Sequence, residues 1–496
     1  MAAMTPPSTL ARPPSTLATR HGKLVLALLC AVAFLDFVDA SIVNVALPDI
    51  RSDLHFSVQG LQWVPSGYLL TYGGFMLLGG RIADLLGRRR VLASGTTLIG
   101  IASLAGGLAN DAGLLVAARL TQGVGAALML PAALSILTTT FQEGTDRHKA
   151  LGAWGGVGGL ASAVGVFLGG VLTEGPGWRW VMLVNPIACV FVLPAVFRLL
   201  PDDRRRARRG EFDVLGATLA TSGMLLLVYA LVKAPDDGWG AGRTIVEFAG
   251  AATLLAAFLI VEHRGHSPLL PLSTLRIKGL VAANITQLIA LAGMISMFFF
   301  LTLYMQNVLG YSPIQTGASY LPLCVVVGIA AGVASSLLAR VGTRPLIVAG
   351  SLIASGGVFW LSRIPVDGSY LTDLLPGMLV MAVGLGLVFV AVTTAANAGV
   401  PADKAGLAAA LVNASQQVGG ALGLAVLSAV ATSRTQHELT TGQPVPSSLT
   451  AGFGRALLVG SIFLLGAAVI GLRTHNARGD AVMAAADVAP EPAGVS

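Results

Sequence analysis

The stretch GGRIADLLGRRR, residues 79–90, indicates the architecture of this chain, because a related pattern follows 255 residues later. Residues 335–344 read SSLLARVGTR, and aligning Gly87 with Gly342 also pairs Arg89 with Arg344. The same offset carries residue 24, where the first long apolar run begins, onto residue 279, where another begins. Internal repeats of this kind are typical of membrane transporters. We therefore predict two equivalent halves.

The composition indicates a protein built from membrane-spanning helices. Of its 496 residues, 54% are apolar and only 11% are charged, and the mean hydropathy is +0.77. A soluble protein carries about 25% charged residues. The charges separate apolar runs that are long enough to cross a bilayer, which takes about 20 residues. We predict an all-α polytopic membrane protein with fourteen spans.

The spans and loops divide the chain into five predicted segments. These are a cytoplasmic N-terminal tail (1–23), a six-helix bundle (24–200), a linker with two extra spans (201–278), a second six-helix bundle (279–473) and a disordered cytoplasmic tail (474–496). Of the 31 Lys and Arg residues, 23 fall on the side of the termini, seven fall on the other side and Arg119 lies inside a span. Because positive charge marks cytoplasmic loops, both termini are predicted to be cytoplasmic.

Several other functional classes lack the residues that they need. The net charge of +7 is accounted for by basic loops such as 204–209, which suit anionic lipid, so no nucleic-acid partner is expected. The chain has no GxxxxGK[ST] phosphate loop, and its three cysteines lie far apart in apolar runs. We expect no cofactor, no metal, no ATP hydrolysis and no enzymatic activity.

Three charged residues lie within predicted spans, where an ionised group costs roughly 3 kcal/mol. Asp36 and Asp39 are three residues apart in FLDFVDASIVNVALP (34–48) and therefore share a helix face. Arg119 is the basic residue placed well inside a span. Each of these groups needs a partner in a low dielectric. The pattern leaves two interpretations open: a fixed ion pair between helices, or a proton site that Arg119 tunes.

The loop between the second and third predicted spans could act as a conformational gate. Gly80 and Gly87 would allow a close approach and a tight turn. Asp84 is predicted to meet a helix N-terminus or the neighbouring Arg88 and Arg89, forming a charge cluster that can break. The alternative is a topological anchor whose acid is simply satisfied.

Five segments resemble motifs of one transporter family. GRIADLLGRRRVL (80–92) resembles the signature loop of the major facilitator superfamily, although Leu85 stands where that family often has a basic residue. Four other segments are similar to motifs of its drug:proton antiporters with fourteen spans: DASIVNVALP (39–48), RLTQGVGAA (119–127), GWRWVMLVNP (177–186) and NASQQVGGALG (413–423). The resemblance implies a major facilitator fold of two six-helix bundles with two inserted helices, and export driven by a proton gradient.

The fifth predicted span departs from the family pattern. VGVFLGG (164–170) carries Val166 where the antiporters usually have a proline. The glycines of this span have the spacing of a helix-packing surface. We predict close helix packing at Gly155, Gly159, Gly165, Gly169 and Gly170.

The resemblance and the intramembrane polar groups together define a candidate site. Asp39 belongs to the first-helix motif and is the first candidate for proton coupling, with Asp36 second and Arg119 as the tuning group. A large, amphipathic and weakly specific cavity would suit bulky hydrophobic compounds. Its candidate lining residues are Asn44, Tyr68, Gln122, Asn284, Gln287, Phe298, Gln306, Asn413 and Gln417.

These observations predict a proton-coupled exporter of hydrophobic, often cationic drugs or antibiotics in the bacterial cytoplasmic membrane. Its partners would be the substrate, protons and the bilayer, and it would function as a monomer. The sequence leaves open a dedicated exporter of one endogenous metabolite or antibiotic. It also leaves open an uptake symporter for small nutrients, which would accumulate its substrate rather than exclude it.

Overall fold

The computed structural model describes residues 17, 19–141, 145–202, 214–264, 279–398, 400 and 405–477, and in these ranges all regular structure is helical. Most of the N-terminal tail, the basic run 204–209 and residues 478–496 of the C-terminal tail lie outside the described residues.

The first half of the chain forms seven helices, here called the first-half helices. They are α1 (Arg20–Asp53), α2 (Val58–Leu61), α3 (Trp63–Leu86), α4 (Arg88–Gly107), α5 (Ala112–Thr140), α6 (Thr145–Glu174) and α7 (Arg179–Leu199). Helix α1 packs against α6 and α7, whereas α5 packs against α3 and α4. The helix that carries both aspartates is therefore enclosed by its neighbours.

Two further helices, α8 (Val214–Asp237) and α9 (Gly242–Arg264), form a hairpin and are followed by the second-half helices. These are α10 (Leu280–Asn307), α11 (Pro313–Ser319), α12 (Leu321–Val341), α13 (Thr343–Leu361), α14 (Leu375–Asn397, after a π-helical turn at Tyr370–Leu374), α15 (Ala405–Thr440) and α16 (Val445–Gly471). Helix α8 packs against both α3 and α15, so the inserted hairpin touches both halves of the chain.

Ten segments of the described chain are long and apolar enough to cross a membrane. Four other long helices, α3, α4, α6 and α8, are not among them. Helix α4 begins with Arg88, Arg89 and Arg90 and has a low apolar content, and α6 begins with the polar run TDRHK (145–149). In α4 the three arginines lower the hydropathy of the whole helix, because it has only 20 residues. The chain is an all-helical membrane protein.

The repeated loops have the same backbone form in both halves. Helices α3 and α4 are separated only by Gly87, whose φ is +99°, and α12 and α13 only by Gly342, whose φ is +83°. Residues other than glycine rarely adopt this conformation. The tight turn predicted at Gly87 is present, and its partner at the predicted offset has the same form.

Glycines allow several helices to approach one another closely. A Cβ atom on Gly165 would lie 2.0 Å from Ser41 Oγ, and one on Gly169 would lie 2.4 Å from Ile42 O, so α6 lies directly against α1. Gly170 faces the carbonyl of Pro313 on α11 in the same way. The helix backbone at Gly155 and Gly159 is described, but the surroundings of these two glycines lie outside the described residues.

The close approach between α3 and α5 occurs one residue before the position that the loop motif suggests. A Cβ atom on Gly79 would lie 2.0 Å from Ala127 O, whereas one on Gly80 would make an ordinary contact, 3.7 Å from Pro131. Gly80 therefore faces a looser part of the interface. The sequence placed both glycines on α3 but could not show which one faces the α5 backbone.

Candidate functional site

A buried ion pair joins α1 to α5. Arg119 Nη1 lies 2.9 Å from Asp39 Oδ2, and both side chains are at most 3% exposed. The guanidinium also donates to Gln122 Oε1 at 2.9 Å and to the carbonyl of Val64 at 3.0 Å. It lies over the ring of Tyr68, 4.4 Å from the centroid. The charges that the sequence predicts to pair therefore do so.

The other carboxylate oxygen of Asp39 is held by amide groups. Asn185 on α7 donates a short hydrogen bond to Oδ1, and Gln122 Nε2 lies 3.4 Å from the same atom. Ser103 Oγ on α4 accepts from Gln122 at 2.5 Å and from Asn185 at 3.3 Å. The carboxylate of Asp39 is thus held by groups from α5 and α7, and Ser103 of α4 accepts from the two amides. We refer to Asp39, Arg119, Gln122, Asn185 and Ser103 as the Asp39 cluster.

Asp36 occupies a different environment one turn earlier on α1. It is 3% exposed, and its two oxygens accept hydrogen bonds from Tyr68 Oη and Tyr72 Oη, each at 3.0 Å. The two tyrosines are buried and stack edge to face, with centroids 5.6 Å apart. Asp36 forms no ion pair with any Lys or Arg that the structure describes. Neutral hydroxyls, rather than a guanidinium, hold this carboxylate.

The Asp36 site reaches across to the second half of the chain. The side chain of Tyr72 lies close enough to Gln417 on α15 to interact with it. The backbones approach closely here, because a Cβ atom on the adjacent Gly73 would lie 2.9 Å from Gln417 Cβ. Asp36, Tyr72 and Gln417 therefore form a polar path from α1 to α15.

Most of the other predicted cavity residues form hydrogen bonds within their own helix or to a neighbouring helix. Asn44 donates to carbonyls of its own helix, Asn284 bonds to Leu280 and Ser415, and Gln306 donates to Val45 O on α1 at 2.9 Å. The ring of Phe298 packs against Tyr320 with the centroids 5.0 Å apart, and Asn413 is half-buried on α15. Tyr68 and Gln122, predicted as cavity lining, belong instead to the two aspartate sites.

Gln287 on α10 differs from the other predicted cavity residues. It is fully buried, and neither its amide oxygen nor its amide nitrogen has a hydrogen-bond partner among the described residues. An unpaired buried amide costs roughly 1–3 kcal/mol. This amide is therefore available to a ligand that reaches it.

The arginines of the signature loop attach the Gly87 turn to neighbouring helices. Arg88 donates to Thr139 near the end of α5 at 2.9 Å, and Arg89 donates to the carbonyl of Leu200 after α7 at 3.0 Å. Arg89 also lies 3.6 Å from Asp202. The backbone of Asp84 belongs to α3, but its side chain lies outside the described residues.

Sequence reasoning missed Tyr72, Ser103 and Asn185. Tyr72 follows Tyr68 by one helical turn and therefore shares its face, which was a usable signal. Asn185 lies in the motif GWRWVMLVNP, which was noticed but gave no role for the amide. Ser103 carries no sequence signal beyond being a hydroxyl in an apolar span.

Comparisons with known proteins agree on one family. A family profile described as Major Facilitator Superfamily matches residues 29–424. Puromycin resistance protein pur8 of Streptomyces alboniger is 40% identical, over 89% of this chain and 88% of its own. Cephamycin export protein CmcT of Amycolatopsis lactamdurans is 39% identical, over 91% of this chain and 92% of its own. The tetracenomycin C resistance and export protein of Streptomyces glaucescens is 32% identical, over 94% and 92%.

The fold also has solved counterparts. A bacterial homologue of the human lysosomal transporter Spinster superposes with a TM-score of 0.64 at 16% identity, covering 92% of this chain and 97% of that chain. A peptide transporter in complex with sulfate superposes with the same TM-score over 90% and 95% of the two chains. At these identities the likeness concerns the fold alone.

Proposed function

The chain belongs to the major facilitator superfamily, and from this membership we propose that it exports hydrophobic, often cationic drugs or antibiotics in exchange for protons. Members of this family move small molecules across membranes, and the relatives described above are named for resistance to antibiotics or for their export. Alternating access around a site between the two halves would carry the substrate. No bound cofactor is needed, because the proton gradient supplies the energy.

The membrane arrangement that we propose has fourteen spans with both termini in the cytoplasm. The four other long helices, α3, α4, α6 and α8, would complete the count, because each has at least 20 residues and a helix of this length crosses the hydrocarbon core. The bias of Lys and Arg towards the loops on the side of the termini supports this orientation in a bacterial cytoplasmic membrane. A single copy of the chain would suffice.

The observation that carries the proposal is the contrast between the two aspartates. Asp39 is neutralised by Arg119 and held by amides, so protonating it would break an ion pair and leave the arginine uncompensated. Asp36 is equally buried but is held only by two hydroxyls. We propose that Asp36 binds and releases the proton, while Asp39 and Arg119 fix the helices around it.

Protonation of Asp36 would change its connection to α15, because it reverses the direction in which the intervening hydroxyl donates. While the carboxylate is ionised, Tyr72 donates to Asp36 and can accept a hydrogen bond from the amide nitrogen of Gln417. A protonated Asp36 can donate its own O–H to Tyr72, which must then donate to the amide oxygen of Gln417. This reversal requires the Gln417 amide to rotate or the contact to separate. Proton binding would thus alter a contact between the two halves of the transporter.

The energy of one proton is sufficient for substantial export. A proton entering down one unit of pH gradient releases about 1.4 kcal/mol, and a membrane potential of 100 mV adds about 2.3 kcal/mol. Together these terms would sustain roughly a 500-fold gradient of a neutral substrate at one proton per cycle.

Inverted membrane vesicles with an acidic interior and a pH-sensitive dye would test the proposal. Adding hydrophobic cations should discharge the pH gradient with the wild type and not with Asp36→Asn. Tyr72→Phe should impair this discharge more than Tyr68→Phe, because each variant loses one hydroxyl on Asp36 but only Tyr72 contacts Gln417. If no compound in a broad panel moves protons with the wild type, proton-coupled drug export is wrong. Equal discharge of the pH gradient by wild type and Asp36→Asn would assign proton binding to Asp39.

A dedicated exporter of one antibiotic is the second candidate function. The relatives named for puromycin, cephamycin and tetracenomycin C favour it, because each name refers to one compound or compound class. The same vesicle assay separates the two functions. A dedicated exporter would respond to one chemical class and a multidrug exporter to several unrelated ones.

A further inference from the structure

A cavity lies among the second-half helices at the end opposite Gly342. It has a volume of about 540 Å³ and is bounded by the C-terminal end of α13, the last turns of α15 and the first turns of α16. Three arginines line it: Arg363, Arg434 and Arg455. Pockets that hold small ligands typically have about 300–1,000 Å³.

The positive charge of this cavity is largely uncompensated. Arg434 forms an ion pair with Glu438 one turn later. Arg363 and Arg455 are exposed and form no ion pair with any residue that the structure describes. The Arg363 guanidinium lies over the ring of Phe359, 4.6 Å from its centroid, so the ring helps to fix its position. The cavity therefore presents two free guanidinium groups and one paired group.

The walls next to these arginines are apolar and belong to spanning segments. Phe359 and Leu458 line the cavity and lie within Thr343–Leu361 and Val445–Gly471, both of which are long and apolar enough to cross a membrane. Phe359 is 42% exposed, and the neighbouring Trp360 is 53% exposed. Tryptophan side chains such as that of Trp360 are enriched at the boundary between headgroups and acyl chains. The arginines thus lie at the level where a lipid headgroup would be found.

The position of the arginines departs from the usual distribution of charge. In the orientation proposed above, seven Lys and Arg residues lie on the outer side, and three of these seven surround this one cavity. Outer loops usually carry few basic residues. Arginines that only interact with water have no reason to cluster, so their position around one cavity indicates a shared anionic ligand.

We propose that this cavity binds the headgroup of an anionic phospholipid. Arginine binds phosphate oxygens through two parallel hydrogen bonds, and its guanidinium is more weakly hydrated than an ammonium group. The apolar wall of Phe359 and Leu458 would lie against the first acyl carbons, while Arg363 and Arg455 hold the phosphodiester. This assignment rests on the membrane arrangement proposed above but not on drug export or proton coupling.

Native mass spectrometry of the full chain would test the site. The protein would be released from detergent after equilibration with equal amounts of phosphatidylglycerol and phosphatidylcholine. Wild type should retain phosphatidylglycerol in preference to phosphatidylcholine. Each neutralised arginine should weaken retention about fivefold, so Arg363→Gln/Arg455→Gln should weaken it about 25-fold. The double lysine variant should fall between the two, because it keeps the charge but loses the paired hydrogen bonds.

Two controls make the result interpretable. Arg243→Gln removes another exposed arginine, at the start of α9, and should leave lipid retention unchanged. Thermal unfolding of the double variant in detergent should match that of wild type, which separates lost binding from lost folding. Equal retention of the two lipids by wild type, or equal phosphatidylglycerol retention by wild type and the double glutamine variant, would overturn the proposal. Displacement of phosphatidylglycerol by millimolar inorganic phosphate would assign the cavity to a free anion and would also overturn it.

Discussion

Asp39→Asn is expected to harm the fold of this transporter more directly than its proton chemistry. In the wild type, Asp39 Oδ2 accepts from Arg119, and Oδ1 accepts from Gln122 and Asn185. An asparagine at this position has one oxygen and one NH₂ group. Whichever way the amide turns, its NH₂ faces either the guanidinium or the two side-chain amides. One group of donors therefore loses its acceptor.

The expected cost follows from the burial of Arg119, which is 1% exposed. Removing one partner of a buried ion pair typically costs about 3–5 kcal/mol, because the remaining charge is left uncompensated. With an unfolding entropy of about 2.1 cal/mol/K per residue, a chain of 496 residues loses about 1 °C of melting temperature for each kcal/mol. We therefore expect Asp39→Asn to unfold about 3–5 °C below wild type. Replacing both charges, as in Asp39→Asn/Arg119→Leu, should recover most of this loss.

The assay combines thermal unfolding in detergent with proton movement in inverted vesicles. The double variant should be as stable as wild type to within about 2 °C and should still discharge the pH gradient when substrate is added, because Asp36 remains. A stable double variant that moves no protons would refute this reasoning and assign the proton to Asp39. A single variant that is as stable as wild type would refute the structural role given to the ion pair.

Three further changes test other parts of the structure. Gly79→Ala should destabilise the protein by about 1–3 kcal/mol in thermal unfolding, whereas Gly80→Ala should be nearly neutral, because only an alanine at position 79 would collide with the α5 backbone. Equal effects of the two substitutions would contradict the close approach at Gly79. Gly342→Ala should cost about 1–2 kcal/mol, because alanine disfavours a φ of +83°; an unchanged melting temperature would contradict the positive φ. Gln306→Leu removes the hydrogen bond to Val45 O and should shift the equilibrium towards separation of α1 from α10 by up to about tenfold. Spin labels on the two helices would measure the distance between them, and an unchanged distance distribution would show that the bond does not hold the two halves together.

Much of the fold could be predicted because it depends on patterns that can be read along the sequence, such as repeats and the spacing of charges in apolar runs. The offset between Gly87 and Gly342 predicted two loops of the same form, and both have a positive φ between two long helices. The pairing of Arg119 with an intramembrane acid also followed from sequence, because each charge needs a partner where water is excluded.

The details of the site depend on neighbours that sequence spacing does not specify. Spacing placed Asp36 and Asp39 on one side of α1, but it could not show that Asp36 faces two tyrosines of α3 while Asp39 faces α5 and α7. Which neighbouring helix a side chain faces depends on the tilt and the relative shift of the packed helices, and the composition of a sequence does not specify either. For the same reason the sequence did not show that Gln306, near the end of α10, bonds to the backbone of α1.

The position of α8 makes the two sides of the transporter unequal for a compound dissolved in the bilayer. The two halves meet along one seam between α3 and α15 and along another where α6 meets α11 and α12. Helix α8 covers the first seam by packing against both of its helices. The second is flanked by exposed apolar side chains, among them Leu160, Phe167, Val325 and Ile329. Among the described helices, α8 therefore stands between the bilayer and the first seam, whereas a lipophilic compound that diffuses sideways through the membrane would meet the second seam uncovered by a further helix.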